Sequence, residues 1–124
     1  MDDRLLEIFD RRETFMKKLR ESSSQKSPDW PLDLSKKENQ QHVRDMALRG
    51  VEEMFEALQH LKNWKPHRKT EITEFDREEF LEEIVDAFNY FLSILVLTGF
   101  DDSDLMNAYR RKDEIINERL RTGY

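Results

Sequence analysis

Two carboxylate pairs carry the most chemistry in this 124-residue chain: Glu53-Met54-Phe55-Glu56 and Glu83-Ile84-Val85-Asp86. A spacing of three puts both acids of a pair on one face of a helix. Two such helices packed antiparallel would bring four carboxylates together, and a hard divalent cation such as magnesium takes oxygen ligands of that kind. Acids three apart are also ordinary in a chain that is 39% charged, where they read equally as solvated faces. Asp86 is the more demanding member, because Ile84, Val85, Ala87 and Phe88 surround it and Asn89 follows. A carboxylate inside a buried helix costs on the order of several kcal/mol unless it is paired or coordinated. A metal would satisfy it, and so would Arg49, Lys62 or Arg119. Glu78, Glu79 and Glu82 read as solvated or capping charges, and His42 and His60 as helix-surface residues. A di-iron bundle would want Glu-x-x-His pairs, but Gln59 follows Glu56 and Asp86 follows Glu83 at that spacing.

Four helices must position these groups. Leu5, Ile8, Phe9, Phe15, Met16 and Leu19 give a first amphipathic helix over roughly 2–22. A linker, 23–34, is broken by serines, Pro28 and Pro31. A capping-box pattern at Ser35-Lys36-Lys37-Glu38 opens a second helix that should reach about Asn63. Its apolar stripe is Met46, Ala47, Val51, Met54, Phe55, Leu58 and Leu61. Gly50 lies inside it, which costs ~1 kcal/mol relative to alanine and implies close approach of another helix. After a basic connection (Lys65, His67, Arg68, Lys69), Asp76-Arg77-Glu78-Glu79 caps a third helix that Gly99 stops. From Phe80 to Leu97 this helix is apolar on nearly every side, as suits a bundle centre or an interface between copies. A fourth helix begins at Asp101–Asp104 and reaches about Arg121, with Leu105, Met106, Tyr109, Ile115, Ile116 and Leu120 as its apolar positions.

Composition narrows the class. Three glycines and three prolines in 124 residues favour long helices, so the expected fold is all-α and a single helical domain spanning 1–124, with 35–124 as its core. The absence of cysteine excludes disulfides and thiol chemistry. A net charge of −6 argues against a nucleic acid polymer as partner. No membrane span is expected, because the apolar stretch 84–97 is short and interrupted. The N-terminus has no apolar signal core, and the expected location is cytoplasmic. No serine sits in a glycine-rich elbow, and there is no phosphate-cradling glycine loop.

Glu-x-x-Glu, a spacer and Glu-x-x-Asp on two helices of a four-helix core resembles the all-alpha nucleoside triphosphate pyrophosphohydrolases, the MazG-type and dimeric dUTPase-like enzymes. Glu52-Glu53-Met54-Phe55-Glu56 is similar to the MazG-type Glu-Glu-x-x-Glu stretch, with Gln41 ahead of it. Pro28-Asp29-Trp30 is loosely similar to a Pro-Trp-Asp segment with the order changed. Asn63-Trp64-Lys65 and the ending from Lys112 through Arg119 to Gly123-Tyr124 resemble the dimeric dUTPases, although Asn117 stands one position past the family asparagine. The resemblance spans roughly residues 36–124.

The resemblance implies hydrolysis of a nucleoside triphosphate, deoxy and with dUTP the first candidate, to monophosphate and pyrophosphate. Glu53, Glu56, Glu83 and Asp86 would hold Mg2+, with Mn2+ as a possible substitute, and Glu52 or Glu53 would activate water. Substrate contacts would fall to Lys112 and Arg119, then Lys65, with Gln41, Asn89, Tyr90 and Trp30 near the sugar and base. Each of these also has a structural reading: helix-surface charge, solvated loop, core tyrosine, or a linker tryptophan anchored on the bundle. The implied assembly is a homodimer or homotetramer. The competing reading is a non-enzymatic helical interaction protein that dimerises through the third helix.

Overall fold

A computed structural model describes residues 3–22, 29–69 and 72–123. Within them the chain forms four helices and no strand: α1 (Arg4–Ser22), α2 (Lys37–Leu58), α3 (Arg77–Leu97) and α4 (Asp102–Thr122). The first half of the linker, 23–28, and the last residue, Tyr124, lie outside the described residues. No helix among those described is long and apolar enough to cross a membrane. The residues divide into two compact units.

The first unit joins residues up to Leu32 with those from Leu95 onward. α1 contributes buried Phe9 and Met16, and the end of α3 contributes buried Val96 and Leu97. The linker is tied to this core twice. The Leu32 amide donates to the Leu97 carbonyl at 2.7 Å. The Arg20 guanidinium donates to Asp29 at 2.6 Å and lies 4.3 Å above the Trp30 ring. At the end of α3 the Gly99 amide bonds the Val96 carbonyl and the Phe100 amide bonds the Leu95 carbonyl. That pair of bonds needs a left-handed residue at the glycine position, and Gly99 has φ 87°. α4 starts as its sequence suggests, with Asp101 and Asp104 exchanging side-chain and backbone bonds in a full capping box.

The second unit, Asp33–Ile94, holds α2, the connection 59–76 and most of α3. Gly50 accounts for how closely these two helices meet. A β-carbon there would lie 3.0 Å from Phe91 Cζ and 3.1 Å from Tyr90 Cβ, so the glycine is needed for the approach. Ala57 on α2 and Ala87 on α3 are also buried.

Three expectations change. α2 begins at Lys37 with Lys36 as a cap that offers no side-chain bond. Ser35 is diverted instead, because its amide and hydroxyl both donate to Asp33 at 3.0 and 2.7 Å. Those bonds hold the Asp33 carboxyl below its ordinary range, the Ser35 hydroxyl contributing most. α2 also stops at Leu58, short of Asn63, and its apolar positions split: Met46, Ala47 and Met54 are half-buried, while Val51, Phe55, Leu58 and Leu61 are exposed. α3 is one-sided in the single chain, with Leu92, Val96 and Leu97 buried but Leu81, Val85 and Phe88 exposed.

Gly99 supplies a direct test of the α3 stop. An alanine β-carbon there would lie 2.9 Å from Pro31 Cβ, in a backbone region that costs about 1–2 kcal/mol for an L residue. Gly99→Ala should therefore lower unfolding stability by at least ~1 kcal/mol in urea titrations; an unchanged midpoint would show that the turn is not tightly held.

Candidate metal centre

Along α2, Glu53, Glu56 and His60 follow one another at intervals of three and four, and along α3 so do Asp86, Glu83 and Glu79 in the opposite direction. Each series lies along one side of its helix, and His60 sits in the turn just past the end of α2. The antiparallel contact set at Gly50 continues down these two series. Glu53, Glu56 and Glu83 each offer an oxygen, all within 4.8 Å of one another. A second group, His60, Glu79 and Glu83, meets the same limit and shares Glu83 with the first. Asp86 belongs to neither group, but it lies near enough to raise the proton affinity of both Glu53 and Glu83.

The electrostatics are those of crowded like charges. Partial burial, then the negative charge of Glu56, then a hydrogen bond to Glu56, push the Glu53 carboxyl above its ordinary range. Glu83 is raised by partial burial, by Glu56 and by Asp86, with only His60 acting the other way. No lysine or arginine relieves this crowding, since none of the four acids forms an ion pair among the described residues. Arg49, one candidate partner for Asp86, pairs with Asp45 on its own helix at 3.2 Å.

This donor set fits a hard divalent cation. Oxygens about 2.0–2.1 Å from one Mg2+ lie within roughly 4 Å of each other, which small side-chain rotations would reach here. Asp86 is itself exposed, so the expectation of a carboxylate sealed inside a buried helix does not hold. The polar groups on α2 and α3 open that side of α3 to solvent, and proximity to Glu53 and Glu83 is what connects Asp86 to the centre.

Other candidate residues are distributed as follows. Glu52 is exposed beside Glu53, and Gln41 is exposed on the first turns of α2. Asn89 and Tyr90 are half-buried one turn past Asp86, with Tyr90 against Gly50. Lys65 lies on the connection 59–76, its ammonium 5.4 Å from the Trp64 ring centre, in a cleft that contains none of the four acids. In the first unit, Lys112 and Arg119 are exposed on α4, and Trp30 is half-buried under Arg20. His60 and Glu79, expected as a helix-surface residue and a solvated or capping charge, join Glu83 in the second group. Their signal was present as the four-residue steps Glu56 to His60 and Glu79 to Glu83, which carry each series one turn further.

No family model matches this chain, and comparison with curated proteins and with solved structures gives no significant match.

The raised carboxyls fix a pH dependence. An acid whose folded-state proton affinity exceeds its unfolded value favours folding below the ordinary carboxylate range and loses that contribution as pH rises through the raised value. Glu53→Gln should therefore raise the melting temperature at neutral pH without divalent ions, and the advantage should shrink as the pH falls toward 4. Thermal melts between pH 4 and 8 check this. A variant less stable than wild type at pH 7 would mean the carboxylates do not repel.

Proposed function

We propose that this protein is a Mg2+-dependent pyrophosphohydrolase that cleaves a nucleoside triphosphate to monophosphate and pyrophosphate. The observation that carries the reading is the convergence of Glu53, Glu56 and Glu83 from two helices with no lysine or arginine paired to them among the described residues. Such an arrangement opposes folding when ionised, and a bound divalent ion would turn that opposition into affinity. The resemblance of the two acidic pairs to the all-alpha pyrophosphohydrolases supplies the substrate class.

In this reading Glu53, Glu56 and Glu83 hold the ion, with Asp86 as the fourth acid. When bound, it would neutralise charge on the phosphate oxygens. Glu53 is also a candidate to orient the attacking water or accept its proton. Glu52, exposed alongside, is the second candidate for that role. Asn89 and Tyr90 follow Asp86 by one turn on the same helix and would meet the sugar of a deoxynucleotide, dUTP being the first candidate. Turnover by Lys112→Ala and Arg119→Ala tests whether α4 supplies phosphate contacts.

The same reading includes a second copy of the chain. Leu81, Val85 and Phe88 form a stripe of exposed apolar side chains at helical spacing on α3. A matching helix from another copy would cover it. The non-enzymatic alternative draws on this same stripe and makes no use of the acids.

Pyrophosphate release from a panel of nucleoside triphosphates is the test. Glu53→Gln and Asp86→Asn should each lower turnover by at least about a hundredfold, the scale lost with a general base, while helicity by circular dichroism persists. Turnover near wild type in both variants would eliminate the acid site. Separately, Val85→Glu with Phe88→Glu should reduce the mass measured by light scattering to that of one chain; a wild type already monomeric at high concentration would remove the second copy.

A further inference from the structure

Beyond the acids, the second unit carries an open cleft of about 770 Å³ beside the end of α2. That volume falls in the range typical of small-molecule sites, about 300–1,000 Å³. α2 supplies Phe55 and Leu58, and the connection supplies Gln59, Leu61, Lys62, Trp64, Lys65 and Arg68. Two bonds between Asn63 and Ile72, 2.7 and 2.9 Å, close the base of the loop that carries Trp64, Lys65 and Arg68. With 3.6 residues per turn, Phe55 and Leu58 lie on a different flank of α2 from Glu53 and Glu56. None of the clustered acids lines the cleft.

Two properties define what this cleft would take. Its charge is entirely positive: Lys62, Lys65 and Arg68 line it with no acid, in a chain of net charge −6. Among the described residues, none of the three forms an ion pair. It also presents aromatic surface to solvent, because Trp64 is 68% and Phe55 59% exposed. An indole face accepts a planar ring by stacking, while arginine and lysine accept phosphate oxygens.

We propose that this cleft is a second ligand site, binding an aromatic anion, a nucleoside phosphate, without a divalent cation and separately from the acid cluster. The aromatic-anion chemistry follows from the cleft alone, and the nucleoside class rests on the pyrophosphohydrolase reading. The base lies against Trp64 or Phe55, and the phosphate is held by Lys62 and Arg68. Such a site would let a nucleotide act on the enzyme from outside the reaction centre.

The experiment uses the full chain labelled with 15N-tryptophan, in EDTA, titrated with UMP or AMP. Two indole signals are expected, and Trp30→Phe identifies that of Trp64. The proposal expects a saturable shift of the Trp64 signal. Lys62→Ala with Arg68→Ala should weaken binding at least tenfold, whereas Glu53→Gln with Glu56→Gln should leave it unchanged. Inorganic phosphate alone should bind at least tenfold more weakly than the nucleotide. The proposal is overturned by an indole that does not move at millimolar nucleotide, or by a shift insensitive to Lys62 and Arg68. It is equally overturned if the shift is lost with the acids, if phosphate binds as well as the nucleotide, or if the signal follows protein concentration, which would assign the cleft to a second copy. Pyrophosphate release is not measured here, so failure of the cleft and failure of the hydrolase reading are distinguishable.

Discussion

The unit that carries the acids depends on a repulsion that its own packing enforces. Gly50 lets α2 meet α3 at Tyr90 and Phe91, and Ala57 and Ala87 are buried on the same two helices. Once that antiparallel contact is made, the helical repeat leaves Glu53, Glu56 and Glu83 little freedom to separate. Their mutual influence and partial burial raise the proton affinity of Glu53 and Glu83. A sequence selected for stability alone would place a lysine or arginine among them. Here three basic groups of the adjoining connection, Lys62, Lys65 and Arg68, line a separate cleft instead.

The first unit shows the opposite arrangement where α1 meets the linker, with opposite charges paired. Arg20 holds both Asp29 and the Trp30 face, and Leu32 is tied to the last carbonyl of α3. Gly99 ends α3 in the left-handed geometry that only glycine adopts without strain. These contacts fix one end of α3, the helix that also carries Glu83 and Asp86.

The four helices were legible because their apolar spacing and their stops are local signals. Gly50 was legible for a similar reason: a glycine inside a long helix has a cost that close packing offsets. Capping was less secure, since Ser35 has two partners available and takes Asp33, whereas Asp101 and Asp104 satisfy each other. The apolar positions of α2 did not reveal that they serve two flanks, one against α3 and one beside the basic connection. The acidic pairs were visible as pairs, but the contributions of His60 and Glu79 depend on register between helices. No spacing within one helix encodes that register. The surroundings of Asp86 misled because neighbours in sequence on a helix point to different sides.

Carbon-13 NMR of the glutamate carboxyl groups tests the central claim most directly. Without divalent ions, Glu53 and Glu83 should titrate above the ordinary glutamate range, and Mg2+ should shift both signals while leaving that of Glu38, on the first turn of α2, in place. Ordinary titration of both residues, with no response to Mg2+, would contradict a cation-binding centre built from these helices.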